Sequence, residues 1–444
     1  LKSRVSGAPP LLLRGRLLSF ITEPESPDDR ASYRYEEDGG LLIRDGRIEA
    51  VGDFEQIASG PGEGVEVVDH RPHLIMPGFI DAHAHMPQMQ VIASYGAELL
   101  DWLNNYTFPA ETKFADTEHA RRIAAHFLDT LISHGTTSVA AYCSVHRTSA
   151  EALFEAAMLR DMRIVAGKVM MDRNAPNGLR DTPQAGYDDS KALIERWHGR
   201  GRLSYAITPR FAITSTPEQM EMAGALASEY PDLHIQTHLS ENHAEIAFAE
   251  ELFPDRADYT DIYDHYGLTG PKTLFGHCIH LSEREADVLA DSGSVAVFCP
   301  TSNLFLGSGL FDYQRYRKRG KGLRIAAATD VGGGTNYSML RTMDEGYKVI
   351  ALKGEKLNPL ASFWQITLGN AKALSFDRQI GVLEPEHEAD IVVLDSAATP
   401  AMAIRAETIE TLAEELFLLQ TLGDDRAVVE TYVAGKPMKS GLER

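Results

Sequence analysis

The sequence predicts an α/β chain in which a (β/α)8 barrel of TIM type carries a small β-sandwich domain assembled from both chain ends. Three observations predict it. From about residue 74 onward, short β-rich runs alternate with helical patterns, which is the signature of βα units around a parallel sheet. Eight such runs can be counted, the number that closes a barrel. Histidines and an aspartate stand at the ends of several runs, where barrel enzymes keep their chemistry.

The N-terminal flank holds short strand-like stretches at 10–20, 41–52 and 64–69, with turns expected at Gly39-Gly40 and Asp45-Gly46. The eight barrel runs follow at 74–83, 136–143, 163–170, 203–210, 232–239, 273–280, 294–302 and 324–331. Between them, Ile123, Phe127, Leu128 and Leu131 recur at helical spacing over 117–134, and Gly135 supplies a C-terminal stop. Ser282 and Glu285 form a capping-box pattern opening a helix that ends near Gly293. Two further strands are expected near the C-terminus, at 388–395 and 427–434. The expected division is therefore 1–73 plus 376–444 for the small domain and 74–375 for the barrel. The connections at 84–115, 171–190 and 240–272 are long enough to cover an active site.

Composition narrows the function. With 43% hydrophobic and 24% charged residues in 444, the chain is an ordinary globular protein able to bury a large core. Its net charge of -21 repels nucleic-acid backbones and anionic membranes, so no nucleic acid and no membrane is expected as partner, and a small neutral or weakly cationic ligand fits better. Cys143, Cys278 and Cys299 show no paired spacing, which excludes a disulfide framework or a cysteine zinc knuckle. No apolar run approaches the roughly 18 residues of a membrane span, and the N-terminus lacks a secretory apolar segment. A cytoplasmic location is expected, and a start at Leu1 suggests a chain trimmed at its beginning.

The most informative stretch is Pro77-Gly78-Phe79-Ile80-Asp81-Ala82-His83-Ala84-His85. Side chains two apart on a strand point the same way, so both imidazoles can reach one ion. His238, His277 and Asp330 end the fifth, sixth and eighth runs, and Glu241 follows His238 by three residues. Taken singly, each is more often a hydrogen-bonding residue than a ligand; in one βα series, coincidence is the weaker explanation. Nitrogen and oxygen ligands without thiolate suit Zn²⁺ or Fe²⁺. Zinc lowers the pKa of bound water to about 7, which makes a hydrolytic nucleophile available. Glu241 and Asp330 supply two carboxylates for proton transfer.

The chain resembles the amidohydrolase superfamily and, within it, the guanine deaminases. The resemblance runs from the Pro77–His85 stretch through Pro87-Gln88, Ser94-Tyr95-Gly96, Leu100-Asp101-Trp102-Leu103, Tyr106-Thr107-Phe108-Pro109 and Lys168–Asn174. It continues through Thr208-Pro209-Arg210-Phe211, Thr237–Asn242, Cys299–Leu304 and Thr329–Gly334. It implies one Zn²⁺ per chain, with Fe²⁺ the open alternative, held by His83, His85, His238 and Asp330. His277 would orient a zinc-bound hydroxide that attacks C2 of guanine. Glu241 would protonate ring N3 and Asp330 take the hydroxide proton, leaving xanthine and ammonia, a step of purine catabolism. The implied substrate contacts are His85, Met86, Pro87, Gln88, Arg210, Phe211, His238, Glu241 and Asp330. Arg210 is the candidate donor to the C6 carbonyl, against an alternative role in a structural ion pair; Gln88 could equally be a loop residue. The implied partners are guanine, water and a second copy of the chain in a homodimer.

Met86 departs from the family pattern. Lys168 lies on the third run rather than at the fourth-strand position of the carboxylated lysine in two-metal relatives, which favours one metal. His280 and His243 read as turn and outer residues. The Pro-Cys-x-x-Cys element of cytidine-deaminase zinc sites is absent. A deaminase or chlorohydrolase acting on another heterocycle, and a non-catalytic barrel used for assembly, are the competing readings.

Overall fold

A computed structural model describes residues 9–60, 64–95, 99–318 and 322–442; Leu1, and Gly96 of the Ser94-Tyr95-Gly96 run, lie outside them. The chain opens with β1 (Leu11–Phe20), β2 (Tyr33–Arg44), β3 (Arg47–Asp53) and β4 (Glu66–Pro77). The barrel strands are β5 (Phe79–His85), β6 (Thr136–Tyr142), β7 (Arg163–Gly167), with the two-residue β8 (Val169–Met170), then β9 (Leu203–Pro209), β10 (His234–Leu239), β11 (Thr273–His277), β12 (Val295–Phe298) and β13 (Arg324–Ala327). The chain ends with β14 (Ile391–Leu394), β15 (Val428–Val433) and β16 (Lys436–Pro437).

The barrel strands neighbour one another in the order β5-β6-β7-β9-β10-β11-β12-β13, all parallel. Covered by helices outside and side chains within, they read as continuous buried runs rather than alternating ones. Ile80, Ala82, Ala140, Val165, Ala206, Leu274, Val297 and Ala326 pack together in one buried cluster. The helices close as their sequence dictates. Asp116 caps the helix Thr117–Ser133 by accepting from His119 N at 2.7 Å. Ser282 and Glu285 form the expected reciprocal box at the helix Glu283–Ser292, and Gly293 ends it at φ 73°.

The eighth strand meets the first through a mixed seam. Asp330 N donates to His83 O at 2.9 Å and His85 N to Val331 O at 3.1 Å. Asp81 accepts from Thr329 N at 3.0 Å and from Thr329 Oγ1 at 2.5 Å. Below them Asn370 bridges the two strands, donating through Nδ2 to Ile80 O at 2.6 Å and Ala327 O at 2.8 Å and accepting from Ala327 N at 2.9 Å.

Both chain ends meet in one seven-stranded sheet of order β16-β15-β14-β4-β1-β2-β3. Leu13, Leu17, Ile43, Ile75, Ile391 and Val393 form its core. A buried ion cluster ties it to the barrel: Arg163 Nε and Arg202 Nε donate to Glu388 Oε2 at 3.0 and 2.9 Å, and Arg202 also pairs with Asp390.

Several elements differ from expectation. The run at 74–83 is divided at Gly78: its first half is the end of β4, paired with β14, and only its second half is barrel strand. Gly39-Gly40 is not a turn but the middle of β2, opposite Gly15 and Arg14 of β1. A Cβ on Gly39 would lie 2.4 Å from Leu17 Cγ, so this glycine serves close packing rather than a reversal. The run at 163–170 breaks at Lys168, and 300–302, expected as strand, open the helix Pro300–Phe305. The long connections carry helices of their own, Leu99–Trp102 and Phe108–Thr112 in the first and His243–Leu252 and Tyr259–His265 in the third. The helix Leu412–Leu422, unforeseen within the C-terminal flank, packs on helices Met339–Leu352 and Pro359–Trp364.

Asn370→Ala removes both partners of the seam at once and leaves buried backbone groups unpaired. We expect it to lower unfolding free energy by about 3 kcal/mol, read as a reduced urea midpoint at unchanged slope.

Candidate active site

The predicted metal ligands come from three different strand ends and converge. His83 and His85, two apart on β5, bring their Nε2 atoms to 3.2 Å, and His85 Nε2 stands 3.2 Å from His238 Nε2 at the end of β10. Asp330 Oδ1 lies 3.3 Å from Nε2 of both His83 and His85. All four residues are buried. His277 Nε2 completes the ring, 3.8 Å from Asp330 Oδ2 and 3.3 Å from Glu241 Oε2. The backbone is bent to achieve this: His277 (φ 72°) and Asp330 (φ 50°) both adopt left-handed conformations, which cost about 1–3 kcal/mol each and gather where function over-determines them.

The protonation states favour a cation. Burial pushes the pKa of His83 down, and that of His85 and His238 well down, so all three are neutral. His238 Nδ1 donates to Arg210 O at 2.8 Å, which leaves the Nε2 lone pair facing the other histidines. Lone pairs 3.2 Å apart repel, and two ligands at about 2.1 Å from one ion stand about 3.0–3.4 Å apart. The donor set therefore fits a single metal ion. Burial pushes the Asp330 carboxyl up, but the hydrogen bond from His83 and the facing imidazoles of His83, His277 and His238 outweigh it and hold the pKa down at about 2. Cys299 lies within reach of His277 and Asp330; burial raises its thiol well above the ordinary value, and its Sγ donates to Val297 O at 3.5 Å.

Beside this cluster, burial pushes Glu241 up to about 7, which lets it carry a proton near neutrality. Ser308 Oγ donates to its Oε1 at 3.0 Å, and its backbone N donates to Glu245 Oε2 at 2.8 Å. His277 Nδ1 is paired with Asn303 Oδ1 at 2.9 Å. Burial lowers the His277 pKa, but the charges of Glu241 and Asp330 outweigh it and raise the net value.

A cavity opens over the cluster. His85, His238, Glu241, His277 and Asp330 line its polar floor, Leu99, Trp102, Leu103 and Leu306 its apolar walls, and Gln88, Arg210 and Phe211 also face it. Met86 and Pro87 are buried in the turn after β5 but do not line the cavity, and His83 lies behind it. Arg210 lines the cavity and also pairs with Glu111 at 2.8 Å, the ion pair that was the alternative anticipated for it. Lys168 is held by Asp181 at 2.5 Å in a buried ion pair, and His280 Nε2 bonds Ser308 O at 2.8 Å beside an exposed His243. Sequence reasoning missed Glu111, Asn303 and Ser308. Asn303 stood inside a recognised motif, and Glu111 only two residues past another; neither carried a periodic or strand-end signal.

The amidohydrolase family model matches residues 74–438. The guanine deaminase of Escherichia coli (strain K12) is 47% identical over 425 residues, 96% of each chain. The chain belongs to the guanine deaminase family of the amidohydrolase superfamily. The family fold extends over the whole architecture: the solved structure of the Escherichia coli enzyme superposes with TM-score 0.93 at 45% identity, covering 97% of this chain and 99% of that one. A guanine deaminase from C. acetobutylicum, solved with guanine in its active site, gives TM-score 0.85 at 29% identity, covering 96% and 99%. The family is metal-dependent, and the convergent histidines and aspartate form groups able to hold a metal ion.

Elemental analysis of the purified chain should find one equivalent of a transition metal. His238→Ala and Asp330→Ala should each fall well below one equivalent while keeping the far-ultraviolet circular dichroism of the parent.

Proposed function

We propose that this chain is a guanine deaminase, hydrolysing guanine at C2 to xanthine and ammonia with one Zn²⁺ per chain held by His83, His85, His238 and Asp330. The observation that carries the proposal is the arrangement of one cavity. Its floor joins a neutral three-histidine, one-carboxylate cluster to a glutamate poised near neutrality, and it also bears a cationic donor, Arg210, and an amide, Gln88. The donor set of nitrogen and oxygen favours Zn²⁺, with Fe²⁺ the alternative ion. A homodimer in the cytosol, acting in purine catabolism, is the accompanying reading and rests on the family resemblance.

An ion held by His83, His85, His238 and Asp330 would supply Lewis acidity, lowering the pKa of water in the cavity toward neutrality. The apolar walls of Leu99, Trp102, Leu103 and Leu306 hold a flat base and exclude bulk water. Glu241 delivers a proton to N3 as water adds at C2, which neutralises the charge that would otherwise build on the ring. Asp330, with His277 beside it, takes the proton that the water gives up. Asp330 then passes that proton to the exocyclic amine, the C2–N bond breaks to release ammonia, and the proton left on the C2 hydroxyl returns to Glu241, giving xanthine. Arg210 donates to the C6 carbonyl, and Gln88 offers both donor and acceptor to the mixed polar edge. A purine with an amine at C6 would leave the Arg210 donors unpaired, which is a strong basis for rejection.

The test is release of ammonia and xanthine from guanine, with adenine and cytosine in parallel. The Lewis acid is worth several kcal/mol, so Asp330→Ala should lose at least about a thousandfold in kcat/KM. Arg210→Met should raise KM for guanine about 10- to 100-fold. A metal-loaded protein that leaves guanine intact would overturn the assignment and redirect it to another aminated heterocycle.

A further inference from the structure

Glu111 is 1% exposed and does not line the cavity, yet it touches both side chains assigned to base recognition. Its Oε1 and Oε2 each accept from Arg210 Nη1 at 2.8 Å, and Oε1 also accepts from Gln88 Nε2 at 3.0 Å. A carboxylate only accepts. Gln88 must therefore turn an N–H toward Glu111, which directs its carbonyl Oε1 the other way.

The space for that oxygen is provided by Gly332. A Cβ at this position would lie 2.0 Å from Gln88 Oε1, and the φ of +124° already disfavours other residues there. Arg210 is restrained in the same manner. With Nη1 occupied by Glu111 and the ring of Phe108 5.6 Å from its Cζ, the guanidinium has its Nη2 and Nε donors left for a ligand. The ion pair also makes this part of the cavity electrically neutral, which suits an uncharged lactam better than an anion.

We infer that Glu111 is the positioning residue that sets the donor and acceptor pattern by which the cavity separates a C6 carbonyl from a C6 amine. The inference rests on the guanine deaminase reading. Glu111 acts through Arg210 and Gln88 and touches neither the metal ligands nor the reacting atoms. Its removal should weaken recognition of the base while sparing the chemical step.

The experiment compares wild type, Glu111→Gln, Glu111→Asp, Arg210→Met and the double variant of Glu111→Gln with Arg210→Met. Steady-state kinetics with guanine would be measured together with inhibition by hypoxanthine and adenine and with metal content. Glu111→Gln should raise KM about 10- to 100-fold with kcat within about threefold and metal unchanged. The preference for hypoxanthine over adenine should shrink in parallel. The double variant should be no worse than Arg210→Met alone, because the two side chains act as one unit. Unchanged KM and unchanged preference in Glu111→Gln would overturn the inference, as would a joint fall of kcat and metal content. Should Glu111→Gln fail to fold, Glu111→Asp keeps the charge that Arg210 needs and should shift KM in the same direction; wild-type values there would overturn it. Absence of guanine turnover in the wild type would instead sink the functional reading on which the inference rests.

Discussion

The site depends on how the barrel closes. Nothing in the eighth strand itself pairs with the first along its length. Closure comes instead from Asn370 below, and from Asp330 N to His83 O and His85 N to Val331 O above. Three of the four residues in those last two bonds, His83, His85 and Asp330, also place their side chains in the histidine–aspartate cluster. Asp81, adjacent in the strand, locks the same seam through Thr329. Barrel closure and convergence of the cluster are thus one structural event, because Asp330 reaches the histidines only when the seam is formed.

A second constraint is electrostatic. Six acidic or basic side chains, His83, His85, His238, His277, Glu241 and Asp330, crowd together in a buried site, and burial disfavours charge on each. The protein answers differently at each position. His83, His85 and His238 stay neutral, while Asp330 stays ionised because the histidines face it. Glu241 lies between those limits because its burial is offset by His277. Two carboxylates in one cavity thereby hold protons with very different affinities, which is what separates a proton donor from a ligand. Strain accompanies the arrangement, since His277 and Asp330 leave their strands through left-handed turns.

The recognition end of the cavity has a different origin. It is assembled from the turn after β5, the end of β9 and the short helices between β5 and β6, which bring Gln88, Arg210 and the Leu99–Leu103 wall together. The first of these connections looked like a long loop in sequence because its helical stretch, 99–112, passes through a π turn at Leu103–Thr107 that interrupts the 3.6-residue period. Its stability comes from packing Trp102, Leu103 and Phe108 into the core rather than from helix propensity.

What the sequence determined by itself was the alternation of strand and helix, the barrel, and the histidines and aspartate placed at strand ends. Periodicity, caps and the His83-x-His85 spacing are local properties, and local properties survive without a folded context. Tertiary structure decided the rest. The 74–83 run is apolar throughout, and no local signal says that Gly78 divides it between two sheets. Gly39-Gly40 has turn composition, yet Leu17 on the neighbouring strand makes those glycines necessary within a strand. Glu111 reads as one more surface carboxylate until the fold sets it between Arg210 and Gln88, residues 99 and 23 positions away in the chain. Long-range pairs of this kind arise from closure of the barrel and the packing of its connections, and neither is written in the neighbourhood of any one residue.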